Sequence, residues 1–335
     1  AVPLCDACVQ GRGAGHERGR EGTMGQVLAV LDLQRVYEVK RSVFSVKKDI
    51  IHALSGVSLD LDQGKTIGIV GESGSGKSTL ARCILLLERP DGGRISFMGK
   101  DLLGLPKGEL KSLRKKMQII FQDPYSSLNP RKKVFDVIAE PMLFHKIVDK
   151  KEAVDKAAGI LKSVGLDEGF MKKYPHEMSG GQRQRVAIGR ALTTDPALII
   201  ADEPVSSLDV SIQSQIVNLF LDIKDMTDIA MLFVSHDLNV VRFVSDEIMV
   251  IYKGRVVEAG TKDEVFLNPL HPYTKMLIKA SKGEFFRKED EAVFDGSRGC
   301  SYYPRCEERK PACRDSMPQL TGSKEHRVAC FPERE

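Results

Sequence analysis

Gly71-Glu72-Ser73-Gly74-Ser75-Gly76-Lys77-Ser78 satisfies the pattern G-x-x-x-x-G-K-S in full, with Thr79 next in line. Residues of these types in this order cradle phosphates. The glycines let backbone N–H groups turn inward around an anion, and a helix opening at Lys77 adds the positive end of its dipole, about half an elementary charge. Lys77 would bridge the terminal phosphates of a nucleotide and the Ser78 hydroxyl would hold Mg²⁺, with Ser73, Ser75 and Thr79 in the same phosphate-binding stretch. A second group with chemical potential is Asp202-Glu203, which ends the apolar run Leu198-Ile199-Ile200-Ala201. Asp202 would hold Mg²⁺ through water, and Glu203, one residue further out, could act as general base toward an attacking water. Alone, such a pair is a solvated loop start or a helix cap; the phosphate loop is what gives it a role.

A third group is Cys300, Cys306, Cys313 and Cys330, spaced C-x5-C-x6-C-x16-C. No export signal is visible, which implies a reducing compartment, and clustered thiols there suggest a metal rather than disulfides. Zinc usually takes C-x-x-C pairs, and none of these four sits so close to another. Zinc, an iron-sulfur cluster and free thiols therefore all stay open on spacing alone. Cys83 reads as packing. Cys5 and Cys8 form a C-x-x-C, but within a Gly/Arg-rich stretch over residues 1–23 that resembles a disordered tail or an extended start.

These groups need elements to position them. Ile67-Gly68-Ile69-Val70 is a short buried strand before the Gly-rich loop, and a helix is expected over residues 77–87: the strand-loop-helix order of an α/β core. Similar strands are expected at 118–121, 198–201, 231–234 and 248–251. Residues 27–66 alternate apolar and polar in short pieces, as antiparallel strands do. Between 123 and 195 the pattern is helical, including 151–164 with a Gly165 stop, and reads as an inserted helical subdomain. The main domain thus spans about 24–268, and a small extension follows over 269–335, opening at Pro269-Leu270-His271-Pro272.

The 335 residues are 42% apolar and 29% charged, the balance of a folded globular chain rather than a disordered one. A formal charge of +4 is too mild to point to nucleic acid. No apolar run approaches the roughly 20 residues of a membrane helix, so service to a membrane would require docking onto other chains.

Met178-Ser179-Gly180-Gly181-Gln182 decides what kind of phosphate-loop protein this is. It resembles the L-S-G-G-Q signature of the ATP-binding cassette (ABC) transporter family, with Met178 for the usual Leu, a near-isosteric change. Ser179 and the two glycines form a helix N-terminus, a second anion site. Placed on the helical subdomain it could not reach its own chain's phosphates, so it must serve another molecule. The resemblance supplies the rest: a P-loop NTPase fold with an antiparallel β subdomain, and two subunits docked head to tail around ATP and Mg²⁺. By the same resemblance Gln122 reaches Mg²⁺ and water, His236 is the switch histidine at the terminal phosphate, and Asp209 is the acidic member of the dimer-seam loop Ser206-Ser207-Leu208-Asp209. Tyr37 either stacks on adenine or is an ordinary strand aromatic.

Gln122-Asp123-Pro124-Tyr125-Ser126-Ser127-Leu128-Asn129-Pro130, Tyr174-Pro175-His176-Glu177 and Pro269-Leu270-His271-Pro272-Tyr273-Thr274 are similar to segments of the bacterial oligopeptide, dipeptide and nickel importer group. That resemblance implies a second cassette subunit, identical or a paralogue, two transmembrane permease subunits and, indirectly, an extracytoplasmic solute-binding protein. It implies a peripheral position on the cytoplasmic face of the cell membrane and favours a 4Fe-4S cluster over zinc at the four cysteines. A soluble cassette ATPase acting on DNA or ribosomes would commonly carry two cassettes or a long coiled-coil insertion, and this sequence has neither. A scaffold that binds ATP without turnover is disfavoured by the presence of both Glu203 and His236.

Overall fold

A computed structural model describes residues 25–40, 48–284 and 299–331. The expected tail over 1–23, with Cys5 and Cys8, lies outside them. In chain order the elements are β1 (Gln26–Lys40), β2 (Lys48–Asp62), β3 (Thr66–Val70), α1 (Lys77–Ile84), β4 (Gly92–Phe97) and β5 (Lys100–Asp101). Then follow α2 (Lys107–Arg114), β6 (Met117–Ile120), α3 (Pro124–Ser127), α4 (Val134–Phe144), α5 (Glu152–Ser163), α6 (Gly180–Leu192), β7 (Leu198–Asp202) and α7 (Val210–Met226). The remainder comprises β8 (Ala230–Ser235), α8 (Leu238–Val244), β9 (Glu247–Tyr252), β10 (Arg255–Thr261), α9 (Lys262–Leu267), α10 (Pro272–Ser281), α11 (Pro311–Asp315), β11 (Thr321–Gly322) and β12 (His326–Val328).

The chain forms two compact units. One gathers Leu61–Lys65 and Phe97–Leu232 with the start of β1; the other gathers Ala29–Asp60, Thr66–Ser96 and the chain from Phe233 onward. In the first unit β6 and β7 pair in parallel, Met117 opposite Leu198 and Ile120 opposite Ala201. All five residues of β7 are buried, as a continuous apolar run requires in a covered parallel sheet. The helices α3 to α6 occupy the expected helical region. Gly165, at φ 74°, ends the α5 segment in the left-handed conformation that glycine adopts without steric cost.

In the second unit β3 lies parallel to β9, and the strand order runs β11-β12-β10-β9-β3. Gly68 in the middle of β3 is required by close approach: a Cβ there would meet Val241 Cγ1 at 2.0 Å and Ser245 Oγ at 2.3 Å. A second sheet runs β2-β1-β4. Here the expectation of short alternating pieces is corrected, because β1 and β2 are each 15 residues long. The alternation breaks where Asp32 takes φ 48° and Gly56, φ 87°, accommodates its carboxylate. Local irregularities interrupt the hydrophobic period without ending the strand.

The helix expected over 77–87 stops at Ile84. Leu86 takes φ 51° and donates its N–H to Cys83, while Leu87 donates to Arg82. That is the geometry of a left-handed C-cap, here built on leucine rather than glycine, so no composition signal marks it.

In the segment after residue 268, β12 extends the sheet, pairing antiparallel to β10 with Gly260 opposite His326. Tyr273, fully buried, packs with Tyr252 and Tyr302 at ring-centroid distances of 4.6 and 5.4 Å. The buried Glu258 carboxylate accepts from the N–H groups of Leu270 and His271 at 2.8 and 2.9 Å and pairs with His326 Nε2 at 2.7 Å. Sheet extension and aromatic burial hold a segment that makes no separate core of its own.

Candidate nucleotide site

The second unit builds the phosphate loop between β3 and α1. Gly71 has no room for a side chain, since a Cβ would lie 2.2 Å from the Ile251 carbonyl. Gly76, at φ 105°, caps α1 without any side chain, and a Cβ there would strike the Ala53 carbonyl at 2.2 Å. Gly74, at φ 80°, faces open space, so its requirement is conformational rather than steric. Ser75 is buried and its carbonyl accepts from Gly254 N–H at 2.8 Å, while Ser73 is exposed. Lys77 is buried, and its ammonium donates to the carbonyls of Gly71 at 2.7 Å and Glu72 at 3.0 Å. Ser78 and Thr79 follow in the first turn of α1, partly exposed.

Also in this unit, His236 is exposed just past the end of the fully buried β8. Its backbone is fixed on the far side by Asp237, whose N–H donates to Ser235 Oγ at 3.0 Å and whose carboxylate caps α8 through Asn239 N–H at 2.9 Å. Tyr37 is half-buried on β1, its hydroxyl bonded to Glu88 and its ring covered on one face by Arg35 at 4.7 Å.

The first unit carries the carboxylates and the signature segment. Asp202 ends β7 and is buried; Glu203 follows, partly exposed, at φ 48°. A left-handed glutamate is uncommon and turns the side chain off the strand direction. Gln122 Nε2 donates to Glu203 Oε2 at 3.4 Å, which brings two sequence-predicted residues together across 81 positions.

Ser179 is the N-cap of α6. Its hydroxyl accepts from Gln182 N–H at 3.3 Å while Gln182 Oε1 accepts from Ser179 N–H at 3.0 Å. In this reciprocal capping box Gln182 is engaged within its own turn. The amides of Gly180 and Gly181 are the ones that helix geometry leaves for an outside anion. A Cβ on Gly181 would lie 2.4 Å from Ile212 Cγ2, so this glycine also sets the approach of α6 to α7. Asp209 occupies the N-cap position of α7, exposed and making no side-chain capping bond.

Cys300, Cys306, Cys313 and Cys330 are free thiols. Cys300 N–H donates to the Cys313 carbonyl at 2.7 Å. Burial, then the neighbouring thiols, push Cys306 up to about 11, and Cys300 and Cys330 are raised by the same causes. Among the described residues no three Cys, His, Asp or Glu side chains converge on a point where one metal ion would sit. Burial also pushes Cys83 up to about 11, in keeping with a packing role.

Sequence reasoning missed how the end of the chain engages the phosphate loop. Arg305 Nη1 and Nη2 donate to Glu72 Oε2 and Oε1, each at 2.9 Å, and Tyr273 Oη accepts from Glu72 N–H at 2.8 Å. No local pattern signals a pairing across 233 positions.

A glycine-lined phosphate loop opening a helix, with a strand-end carboxylate pair and a Ser-Gly-Gly helix tip, defines a nucleotide-binding cassette. The ABC transporter family model matches residues 54–206, and the model of the oligopeptide/dipeptide transporter C-terminal region matches 257–313. The dipeptide transport ATP-binding protein DppF of Escherichia coli is 43% identical over 322 residues, covering 93% of this chain and 96% of that protein. The oligopeptide transport ATP-binding protein AppF of Bacillus subtilis is 42% identical over 317 residues, covering 91% and 96%. Among solved structures, the ATP-binding cassette MJ0796 in a dimeric post-hydrolysis state with ADP and Pi matches with a TM-score of 0.63 at 30% identity, over 70% of this chain and 98% of that one. The chain belongs to the ABC transporter family, among its peptide-transport ATP-binding subunits.

Proposed function

We propose that this chain is an ATPase that powers uptake of dipeptides or oligopeptides across the cell membrane, working from the cytoplasmic face as one of two cassettes. The observation that carries the reading is the joint presence of a formed phosphate loop and a C-terminal segment of the oligopeptide/dipeptide transporter kind in one chain. Among the described residues no helix is long and apolar enough to cross a membrane. By the family resemblance two permease subunits supply the path. A second ABC subunit, a paralogue of this one, supplies the facing cassette, and an extracytoplasmic binding protein delivers the solute. Nucleic acid has no part in it.

Lys77 leaves the loop carbonyls to meet the terminal phosphates, and the loop amides from Gly71 to Thr79 hold the rest, with Tyr37 against adenine. By the family resemblance Ser78, Gln122 and Asp202 would supply oxygen ligands to Mg²⁺, which would neutralise phosphate charge. Glu203 takes the proton of the attacking water, Gln122 orients that water, and His236 contacts the terminal phosphate. Gly180, Gly181 and Ser179, steadied by Gln182, serve the ATP of the partner cassette, with Asp209 at the seam. Hydrolysis then separates ADP from phosphate and loosens the pair.

Cys300, Cys306, Cys313 and Cys330 fit a 4Fe-4S cluster better than zinc. None of the four sits in a C-x-x-C pair of the kind that zinc usually takes. A cubane spreads its thiolates more widely. Its contribution would be structural, tying the legs of the segment together. Anaerobically purified protein with visible absorption and about four irons per chain supports this; equimolar zinc overturns it.

Reconstitution of the chain with its two permeases, the second cassette and the binding protein tests the function. ATP-dependent accumulation of labelled dipeptide supports the reading, whereas uptake of nickel alone reassigns the solute.

A further inference from the structure

We propose that Arg305 and Tyr273 are positioning residues for the phosphate loop, holding it ready for nucleotide through Glu72. The inference rests on the ATPase reading above and adds a role for the C-terminal segment in it. Glu72 is gripped from three directions. Its carboxylate receives both terminal nitrogens of Arg305 at 2.9 Å, its N–H donates to Tyr273 Oη at 2.8 Å, and its carbonyl accepts from Lys77 Nζ at 3.0 Å. A fork-to-fork pair of this kind fixes direction as well as distance.

Both grips come from rigid supports. The Tyr273 ring is fully buried against Tyr252 and Tyr302, so its hydroxyl has a fixed position. Arg305 ends a tight turn, Tyr303–Arg305, closed by Tyr303 N–H to the Cys300 carbonyl at 2.9 Å and Arg305 N–H to the Tyr302 carbonyl at 3.0 Å.

Two physical consequences favour nucleotide binding. A loop with Gly74 and Gly76 in left-handed conformations loses much conformational freedom on ordering, and anchoring the residue between Gly71 and Ser73 meets part of that cost before the ligand arrives. Moreover, an unpaired carboxylate in a loop built for phosphates would repel a polyanion; the guanidinium neutralises it. Both effects act on binding and neither touches the reacting atoms, so the signature is a rise in KM with kcat nearly kept.

The test uses the full chain assembled with its partner subunits. Mg-ATP affinity, by titration with a fluorescent ATP analogue, and steady-state hydrolysis are measured for wild type, Arg305→Ala, Arg305→Lys, Tyr273→Phe and the double variant Glu72→Gln/Arg305→Ala. Arg305→Ala is expected to raise Kd and KM about tenfold, the loss of a charge-assisted pair, with kcat within about twofold. Arg305→Lys should fall between, since lysine cannot make the two parallel bonds. Tyr273→Phe should raise KM while leaving the melting temperature close to wild type. The double variant should recover much of the affinity lost in Arg305→Ala, because it removes the exposed carboxylate, an outcome that a merely structural role for Arg305 does not produce. Wild-type affinity in both Arg305→Ala and Tyr273→Phe overturns the proposal, as does a fall in kcat at unchanged KM. If Arg305→Ala does not assemble, Arg305→Lys and Tyr273→Phe decide by the same KM criterion. Wild-type protein that hydrolyses no ATP would instead refute the ATPase reading itself.

Discussion

Lys77 Nζ donates to the carbonyl of Gly71 at 2.7 Å, six residues back along its own loop. With a second bond to the Glu72 carbonyl at 3.0 Å, the ammonium is buried yet satisfied, and it folds the loop around itself. The same donors can turn to phosphate oxygens, stronger acceptors because they are charged.

Substituting Lys77 by Ala should therefore do two things. It removes the cation proposed to meet the terminal phosphates, and it takes the Lys77 donor from both loop carbonyls. Affinity for Mg-ATP is expected to fall at least about 100-fold, the consequence of losing several kcal/mol of charged hydrogen bonding. Nucleotide titration on the purified complex measures it; binding within threefold of wild type contradicts the role.

The proposed function makes Glu203 the general base; it is partly exposed, and its Oε2 accepts from Gln122 Nε2 at 3.4 Å. Glu203→Gln should lower ATP turnover by about 100-fold or more, in the range of general-base removal, while leaving ATP affinity intact. Gln122→Ala should produce a smaller loss. Single-turnover hydrolysis with bound ATP distinguishes the chemical step from binding, and undiminished turnover in Glu203→Gln would exclude Glu203 as base.

Two adjacent glycines should respond differently to the same methyl group. A Cβ on Gly181 would sit 2.4 Å from Ile212 Cγ2, whereas one on Gly180 would meet Leu208 Cδ2 at 3.4 Å. Gly181→Ala forces α6 and α7 apart or displaces Ile212, at a cost of about 1–3 kcal/mol of stability. Gly180→Ala should cost well under that. Denaturant unfolding of the two variants gives the comparison, and equal midpoints would refute the packing argument.

His271 is buried at the N-cap of α10, where its Nδ1 accepts from Tyr273 N–H at 3.0 Å. Burial lowers its pKa from 6.5 to about 4. The folded chain therefore binds fewer protons here than the unfolded chain between those values, so stability falls as pH drops from about 6.5 to about 4. The full penalty, reached below that window, is of the order of 3 kcal/mol. His271→Asn keeps a capping acceptor but cannot titrate, and should flatten the pH dependence of the melting temperature in this window. A profile identical to wild type would count against His271 as its source.

Much of the site was legible because its parts are local. Residues 71–79 announce themselves by glycines that must bend and by a lysine and a hydroxyl at fixed offsets; Ser179 to Gln182 do so as a helix start; Asp202 and Glu203 do so as the end of an apolar run. The strand-loop-helix order around Lys77 followed from the same local periodicity. What escaped carries no compositional mark: the left-handed Leu86 that ends α1, and the 15-residue length of β1, which continues through the left-handed Asp32, and of β2.

The amino-acid sequence by itself determined which backbone segments can bind phosphate and which side chains are available for acid-base work, because those properties depend on residue type and short spacing. Only the tertiary structure decided that the segment after residue 268 extends the sheet through β12 and that Arg305 reaches Glu72 across 233 positions. Hydrogen bonding and aromatic burial act on distance in space, and local residue patterns do not show which distant residues the fold will bring within 3 Å of one another.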